Sequence, residues 1–192
     1  MTNKEKFINI FKENIKREGA NELLSWLEKT DFFTAPASTK FHLCEEGGLC
    51  EHSINVYECL NERHGKEHSA ESIAIVSLLH DLCKAQFYKM STRNQKNEQT
   101  GQWEKVPYYQ VEDKFPFGHG EKSVFLIERF MRLKVEEAIA IRWHMGGFDD
   151  AAKSGSCTVS NAFEMYPLAA KLHMADFEAT YLREGEKKPS MI

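Results

Sequence analysis

The stretch Ile73-Ala74-Ile75-Val76-Ser77-Leu78-Leu79-His80-Asp81 decides the fold of this sequence. Its first seven residues are almost entirely apolar, which is typical of a helix buried on all sides. The run then ends on an imidazole and a carboxylate, and burying either group without a partner is costly. His80-Asp81 therefore predicts a site that satisfies both side chains, such as a metal site, at the end of a central helix.

The composition is that of a globular domain, with 42% hydrophobic and 28% charged residues. No apolar run approaches the roughly 18–20 residues that span a bilayer, and no apolar segment follows the polar N-terminus, so neither a membrane span nor a signal peptide is predicted. Five cysteines without a C-x-x-C pair favour reduced thiols in a cytoplasmic protein. The net charge of -4 argues against a large nucleic-acid interface, although a local basic site can still bind a small anion.

Hydrophobic periodicity, caps and glycine stops predict helices over most of the chain. We expect them near residues 3–18, 21–28, 47–64, 69–82, 120–131, 135–144 and 168–183, with a loop over 149–160. Residues 86–116 break the pattern, and their aromatic and β-forming residues around a polar tip predict a β-hairpin insertion. Residues from about 184 to 192 predict a frayed tail. The predicted fold class is all-α, a compact helical bundle with a small β-hairpin insertion, forming a single domain over residues 1–192.

Six potential metal ligands lie at or near the ends of these predicted helices: His52, His80, Asp81, His119, His144 and Asp176. Imidazole and carboxylate together favour Mn, Fe, Zn, Ni or Co, whereas oxygen ligands alone would favour Mg or Ca. A carboxylate has two oxygens, so Asp81 is predicted to bridge two divalent ions. In this interpretation the first ion is held by His52, His80, Asp81 and Asp176. The second ion is held by Asp81, His119 and His144.

Each histidine taken alone has an ordinary alternative. An imidazole near a helix end can satisfy an unpaired backbone carbonyl and bind nothing else. That alternative would have to apply separately to every histidine and also to the adjacent His80-Asp81 pair. The combination therefore favours a metal centre over a set of unrelated structural residues.

The order of these residues resembles the HD superfamily of metal-dependent phosphohydrolases. The resemblance extends from about Phe41 to Asp176. It rests on Gly47-Gly48-Leu49-Cys50-Glu51-His52, His80-Asp81-Leu82-Cys83-Lys84, Gly118-His119-Gly120, Arg142-Trp143-His144-Met145-Gly146 and Leu172-His173-Met174-Ala175-Asp176. The two intervening histidines are similar to those of binuclear members, which include the HD-GYP phosphodiesterases and an HD-type exoribonuclease group. The sequence has no Gly-Tyr-Pro after the HD motif and no OB-like domain before it, so neither a cyclic dinucleotide nor RNA is implied as the substrate.

The resemblance implies an HD-type helical bundle that hydrolyses a phosphate ester with a hydroxide held between two divalent ions. The implied substrate is a nucleotide or a related small phosphorylated molecule, and no membrane or nucleic-acid partner is indicated. Asp81 would then be both a ligand and a catalytic residue. Lys84 lies one turn after His80 and is the second catalytic candidate, because its ammonium group would bind a substrate phosphate. Its alternative is a solvated lysine at a helix C-terminus.

Two further residues are candidates for substrate binding. His173 precedes Asp176 by three positions on the same predicted helix face, and it is alternatively a core histidine. Arg142 would contact an anion, or else it is a solvated residue of its helix.

Two other functions use the same ligand types. An HD-type diiron oxygenase holds two irons with a similar set of four histidines and two aspartates, and the metal then decides the chemistry. A non-enzymatic binding module would use the metal for stability alone, with no coordination position left free for water.

Overall fold

The computed structural model describes residues 1–185. This part of the chain is mostly helical, with nine α-helices and one two-stranded antiparallel sheet, which confirms the predicted helical fold with a β-hairpin. The helices are α1 (Asn3–Asn14), α2 (Ala20–Leu27), α3 (Gly48–His64), α4 (Ala70–Leu79), α5 (His119–Glu128), α6 (Val135–Trp143), α7 (Asp150–Lys153), α8 (Thr158–Met165) and α9 (Pro167–Glu178). The strands are β1 (Tyr88–Lys96) and β2 (Trp103–Val111). No helix in residues 1–185 is long and apolar enough to cross a bilayer.

The central helix is α4. Every residue from Ser72 to Leu79 is buried, and α4 packs against α1, α3 and α6. The Ser69 hydroxyl caps it by accepting a hydrogen bond from the Ser72 amide at 3.1 Å, as the sequence predicts. The helix ends at Leu79, three residues earlier than predicted, because the backbone of Asp81 leaves the helical region at φ -99° and ψ 21°. His80 thus takes the C-cap position.

A buried ion-pair network fixes α6 beside α4 at the ends remote from His80. Glu137, in the first turn of α6, accepts hydrogen bonds from Arg17 at 2.6 Å and from the Ser72 hydroxyl at 2.7 Å. Arg17 also contacts Glu71 at 3.1 Å. A buried carboxylate is tolerated when its oxygens have donors of this kind. Because this network links the first turns of α4 and α6, the C-terminal ends of the two helices lie side by side.

Two glycines allow α5 to begin against α6. Gly118, with φ +90°, precedes the helix in a conformation that favours glycine. A Cβ atom on Gly120 would lie 2.3 Å from the carbonyl oxygen of Arg142 in α6. This close approach brings His119, the first residue of α5, beside the end of α6.

The hairpin extends away from the helices. Its strands pair in register from Tyr88 with Val111 to Lys96 with Trp103, and most of their side chains are exposed. Both strands of a two-stranded sheet are edges, so Pro107, which lacks a backbone N–H, is accommodated in β2. At the base of the hairpin the Tyr88 hydroxyl contacts the carbonyl of Ala37 at 3.4 Å.

The C-terminal third departs from the sequence prediction in two places. The predicted loop over 149–160 contains α7 and the start of α8. After α9 a π-helical turn, Ala179–Arg183, leads into Glu184, whose side chain is only 1% exposed. The prediction of a frayed tail from about residue 184 is therefore wrong for Glu184, because three side-chain donors hold its carboxylate. The rest of that predicted tail, 186–192, lies outside the described residues.

Candidate metal centre

Five elements bring the six predicted ligands together. His52 comes from α3, His80 and Asp81 from the end of α4, His119 from the start of α5, His144 from the C-cap of α6 and Asp176 from α9. The four imidazoles form a row in which neighbouring ring centroids are 5.2, 4.9 and 5.1 Å apart, in the order His52, His80, His144, His119. The residues are buried except for His119 and Asp176, which are partly exposed.

The carboxylate of Asp81 faces both ends of this row. Its Oδ1 lies 2.8 Å from Nε2 of His119 and 3.5 Å from Nε2 of His144. Its Oδ2 lies 3.6 Å from Nε2 of His52 and 3.5 Å from Nε2 of His80. Asp176 adds a second carboxylate 3.2 Å from Nε2 of His52. One carboxylate thus offers each of its oxygens to a different pair of imidazoles.

We call the two groups that share Asp81 the His52 half and the His119 half. The His52 half contains His52, His80 and Asp176, and the His119 half contains His119 and His144. Ligand atoms of His52, His80 and Asp81 lie within 4.8 Å of one another, as do those of Asp81, His119 and His144. Those of His80, His144 and Asp176 do so as well, which joins the halves. The assignment of particular ligands to particular ions stays a prediction.

In two of the imidazoles, a hydrogen bond from Nδ1 to the backbone leaves Nε2 as the nitrogen that faces the centre. Nδ1 of His80 donates to the carbonyl of Ser77 at 2.8 Å, and Nδ1 of His144 donates to the carbonyl of Ile141 at 2.7 Å. Both bonds satisfy a carbonyl in the last turn of a helix. A neutral imidazole with a proton on Nδ1 carries its lone pair on Nε2. In its neutral form each of the two histidines would therefore direct an acceptor atom at Asp81, which also only accepts.

These converging acceptors form a site that a cation can satisfy. Nε2 of His144 is buried with no hydrogen-bond partner among residues 1–185, and Nε2 of His80 faces Nε2 of His52 at 3.2 Å. Within residues 1–185, the permanent charges at the centre are three carboxylates, those of Asp81, Asp176 and Glu184, against the ammonium of Lys84. Imidazole and carboxylate are the donors that divalent transition metals prefer. The buried His/Asp cluster can therefore hold metal ions.

Without a metal, protons supply part of the missing positive charge. Burial alone would lower the pKa of His52, but the carboxylates of Asp176 and Glu184 outweigh it and raise that pKa to about 10. Burial likewise opposes protonation of His119, whereas Cys83 and the Asp81 carboxylate raise its pKa to about 10. His80 differs, since burial lowers its pKa to about 4 and keeps it neutral. A metal would thus displace protons from His52 and His119.

Lys84 points into the centre, although it does not lie on the same helix as His80, where the sequence predicted it. It lies in a 3-10 turn, Leu82–Lys84, after α4 has ended, and its Nζ is 2.6 Å from Oδ2 of Asp81. Burial disfavours the charge of the ammonium, and the Asp81 carboxylate outweighs this and raises the pKa of Lys84 above its usual range. Lys84 is therefore a fixed cation in the wall of the centre.

His173 contacts the backbone that carries His144. Its Nδ1 donates to the carbonyl of His144 at 2.6 Å, and its ring stacks on Phe163 with centroids 5.7 Å apart. Gly146 permits this contact, because a Cβ atom there would lie 2.6 Å from the imidazole. This geometry favours a role in positioning His144 over substrate binding.

Arg142 lies beside the His119 half with its charge already compensated. Its guanidinium contacts Glu121 at 2.5 Å and Asp149 at 2.8 Å and stacks over the ring of Trp143. Its surroundings thus favour a structural ion pair over an anion contact. Together with His119 it lines a cleft of about 300 Å³.

Two neighbours of the centre were missed by the sequence prediction. Cys83 places its sulfur 3.4 Å from Nδ1 of His119, and Glu184 contacts Nδ1 of His52 at 3.1 Å. Glu184 carried no usable signal, because it lies in a polar segment whose composition predicts fraying. Cys83 carried no signal beyond its place in the HD segment.

No family model, curated protein or solved structure matches this chain.

Proposed function

We propose that this protein is a metal-dependent phosphohydrolase of the HD type, which cleaves a phosphate ester of a nucleotide or a related small phosphorylated molecule. One observation carries the proposal. Asp81 offers Oδ1 to His119 and His144 and Oδ2 to His52 and His80, at distances from 2.8 to 3.6 Å. A carboxylate shared in this way between two sets of imidazoles suits a bridged pair of divalent ions.

The positions of the six ligands on the helices also support the proposal. The two residues of the HD motif follow directly from the central helix α4, and the other four ligands come from helices packed around that end. This arrangement agrees with the ligand order that the sequence shares with the HD superfamily. A bridged pair of divalent ions, when bound, lowers the pKa of a shared water and neutralises a phosphoryl group.

We assign a role to each side chain of the centre. His52, His80, Asp81 and Asp176 would hold one ion, and Asp81, His119 and His144 the other. Lys84 supplies a positive charge beside Asp81, so we assign it to a phosphate oxygen of the substrate. The cleft beside His119, at about 300 Å³, is at the lower end of the range for small-molecule sites, which supports a small substrate.

The test is hydrolysis of a generic phosphodiester and a generic phosphomonoester by protein reconstituted with Mn²⁺ or Fe²⁺. We expect turnover that requires the metal and collapses in His119→Ala. His64→Ala is the matched control, since His64 contacts Glu67 at the surface and should leave turnover unchanged. Turnover retained in His119→Ala, or absent with every divalent metal, would contradict the proposal. If no divalent metal supports turnover, anaerobic reconstitution with iron would test the alternative of a diiron oxygenase.

The role of Lys84 has its own test. We expect Lys84→Ala to raise KM for the better ester and to leave the number of bound metal ions unchanged, because the residue lies beside the ligands without being one. An unchanged KM would remove Lys84 from substrate binding.

A further inference from the structure

Glu184 is a buried carboxylate that the proposed reaction does not use. Its side chain is 1% exposed, although it lies beyond the last regular helix. It accepts hydrogen bonds from Nδ1 of His42 at 2.5 Å, from Nδ1 of His52 at 3.1 Å and from the amide of Asn55 at 2.8 Å. Burial opposes its ionisation, but His42 and His52 outweigh burial and lower its pKa to about 2. Glu184 is thus a fixed negative charge behind the His52 half.

The contact with His52 decides what that histidine can offer. With Nδ1 donating to Glu184, the other nitrogen, Nε2, faces Asp176 at 3.2 Å and His80 at 3.2 Å. His80 and His144 reach the same state through backbone carbonyls, whereas His52, inside α3, uses a carboxylate from another part of the chain. A carboxylate behind a ligating imidazole fixes its tautomer and ring orientation and raises its basicity.

We propose that Glu184 is the positioning residue of the His52 half, holding His52 with Nε2 free for a divalent ion. Because Glu184 contacts His52, docking of the turn 179–184 is then linked to metal binding. The inference rests on the metal centre of the proposed function. Linkage of this kind is reciprocal, so a metal that binds His52 more tightly when Glu184 is docked must also stabilise the docked turn.

Glu184 could instead be a metal ligand itself. Its carboxylate and the two imidazoles of His42 and His52 offer atoms within 4.8 Å of one another. However, the Asn55 amide also points an N–H donor at Oε1, from 2.8 Å, and a donor directed at a cation site would oppose binding there. The short distances to His42 and His52 are those of hydrogen bonds. The geometry therefore assigns Glu184 to the layer behind the ligands.

The first experiment measures metal affinity and stoichiometry by calorimetry with Zn²⁺ and Mn²⁺ on metal-free wild type and Glu184→Gln. Glutamine keeps the size and one accepting oxygen but loses the charge. We expect the affinity of one ion to fall about 10–100-fold, the range for such supporting residues. Glu178→Gln is the matched control, because Glu178 lies just before the same turn and pairs with Arg63 at the surface. Circular dichroism would show that all three proteins are folded.

The second experiment examines readouts that a merely structural role would not move. In the zinc-loaded wild type the Nδ1 proton of His52 should exchange slowly and resonate downfield in the NMR spectrum, and Glu184→Gln should shift it upfield. Hydrogen exchange at the amide of Glu184, which bonds to the carbonyl of Ala179 at 3.0 Å, should slow when metal is added. The amide of Gly65, bonded to Asn61 in α3, should not respond.

The outcomes separate this inference from the proposed function. A wild type that binds metal, together with a Glu184→Gln variant that binds it equally well, would overturn the inference and leave the proposed function standing. A wild type that binds no divalent ion would overturn both. A third ion that is lost in Glu184→Gln and in His42→Ala would show that Glu184 is a ligand and would also overturn the inference.

Discussion

The two halves of the centre are supported in different ways. In the His52 half a buried carboxylate, Glu184, stands behind the imidazole of His52. In the His119 half the thiol of Cys83 lies behind the imidazole of His119. The side chain of His119 is 30% exposed and lines a cleft. A charged, enclosed support favours tight and permanent metal binding, whereas a weaker support at an open edge favours exchange with solvent and substrate. Under the proposed function, we therefore expect the His52 half to hold its ion and the His119 half to face the substrate.

The largest effect is expected where the halves meet. Asp81→Asn should abolish binding at both halves, because each loses the same bridging carboxylate, and it should lower the free energy of unfolding by about 3 kcal/mol, since Lys84 loses its partner in a buried position. Calorimetric metal titration and urea unfolding measure the two effects. Asp113→Asn is the control, because Asp113 also pairs with a buried lysine, Lys122, at 2.7 Å. It should destabilise the fold without changing metal binding, and any loss of metal there would invalidate the Asp81 result.

The next prediction separates the halves. We expect His119→Ala to remove one ion and to destabilise the metal-free protein less than His52→Ala does, since His119 is partly exposed. His52→Ala should remove an ion and also destabilise the metal-free fold by more, because it takes a partner from Asp176 and from the buried carboxylate of Glu184. Stoichiometry by elemental analysis and chemical unfolding of the chelated proteins test this order. Equal effects of the two variants would remove the distinction between the halves.

The pH dependence of the metal-free protein sharpens the comparison. The pKa values of His52 and His119 rise from an ordinary 6.5 to about 10 in the folded state. Their contribution to stability is therefore complete below about pH 6.5 and is lost as the pH rises towards 10. The melting temperature of the chelated protein should fall across this window, and His52→Ala and His119→Ala should each flatten part of the fall. Metal-loaded protein should show the opposite trend, because the ligands must be unprotonated.

The smallest effect concerns the support of the His119 half. Cys83→Ser replaces the thiol with a hydroxyl that can still form a hydrogen bond with Nδ1 of His119, so we expect the affinity of one ion to change by less than about threefold. Competition with a fluorescent chelator resolves changes of this size. A loss as large as that expected for Glu184→Gln would mean that the two halves depend equally on their supports.

The sequence predicted the parts of this molecule that local signals control. The apolar run before His80 indicated a buried helix, and Ser69 marked its start, because both features follow from helix geometry and capping alone. The hairpin followed from the β-forming residues around a polar tip. The convergence of the predicted ligands followed from the resemblance and from their common position at helix ends.

The parts that tertiary contacts decide were not predictable in the same way. Glu184 lies in Glu184-Gly185-Glu186-Lys187-Lys188, a polar segment whose composition favours fraying, and its burial depends on donors from the distant residues His42, His52 and Asn55. The contact of Lys84 with Asp81 arises from a 3-10 turn that begins where α4 stops. The ion pairs of Arg142 with Glu121 and Asp149 depend on the packing of α5 and of the segment after α6.

The centre also joins residues that are far apart along the chain. His52 and His80 are separated by 28 positions, and His52 and Glu184 by 132. Contacts that close such long loops form late in folding, because the chain loses much of its entropy before they return any energy. A metal ion that recognises only the finished arrangement would then act mainly on the rate of unfolding and little on the rate of folding. Chelation would thus shorten the lifetime of the folded chain without slowing its return.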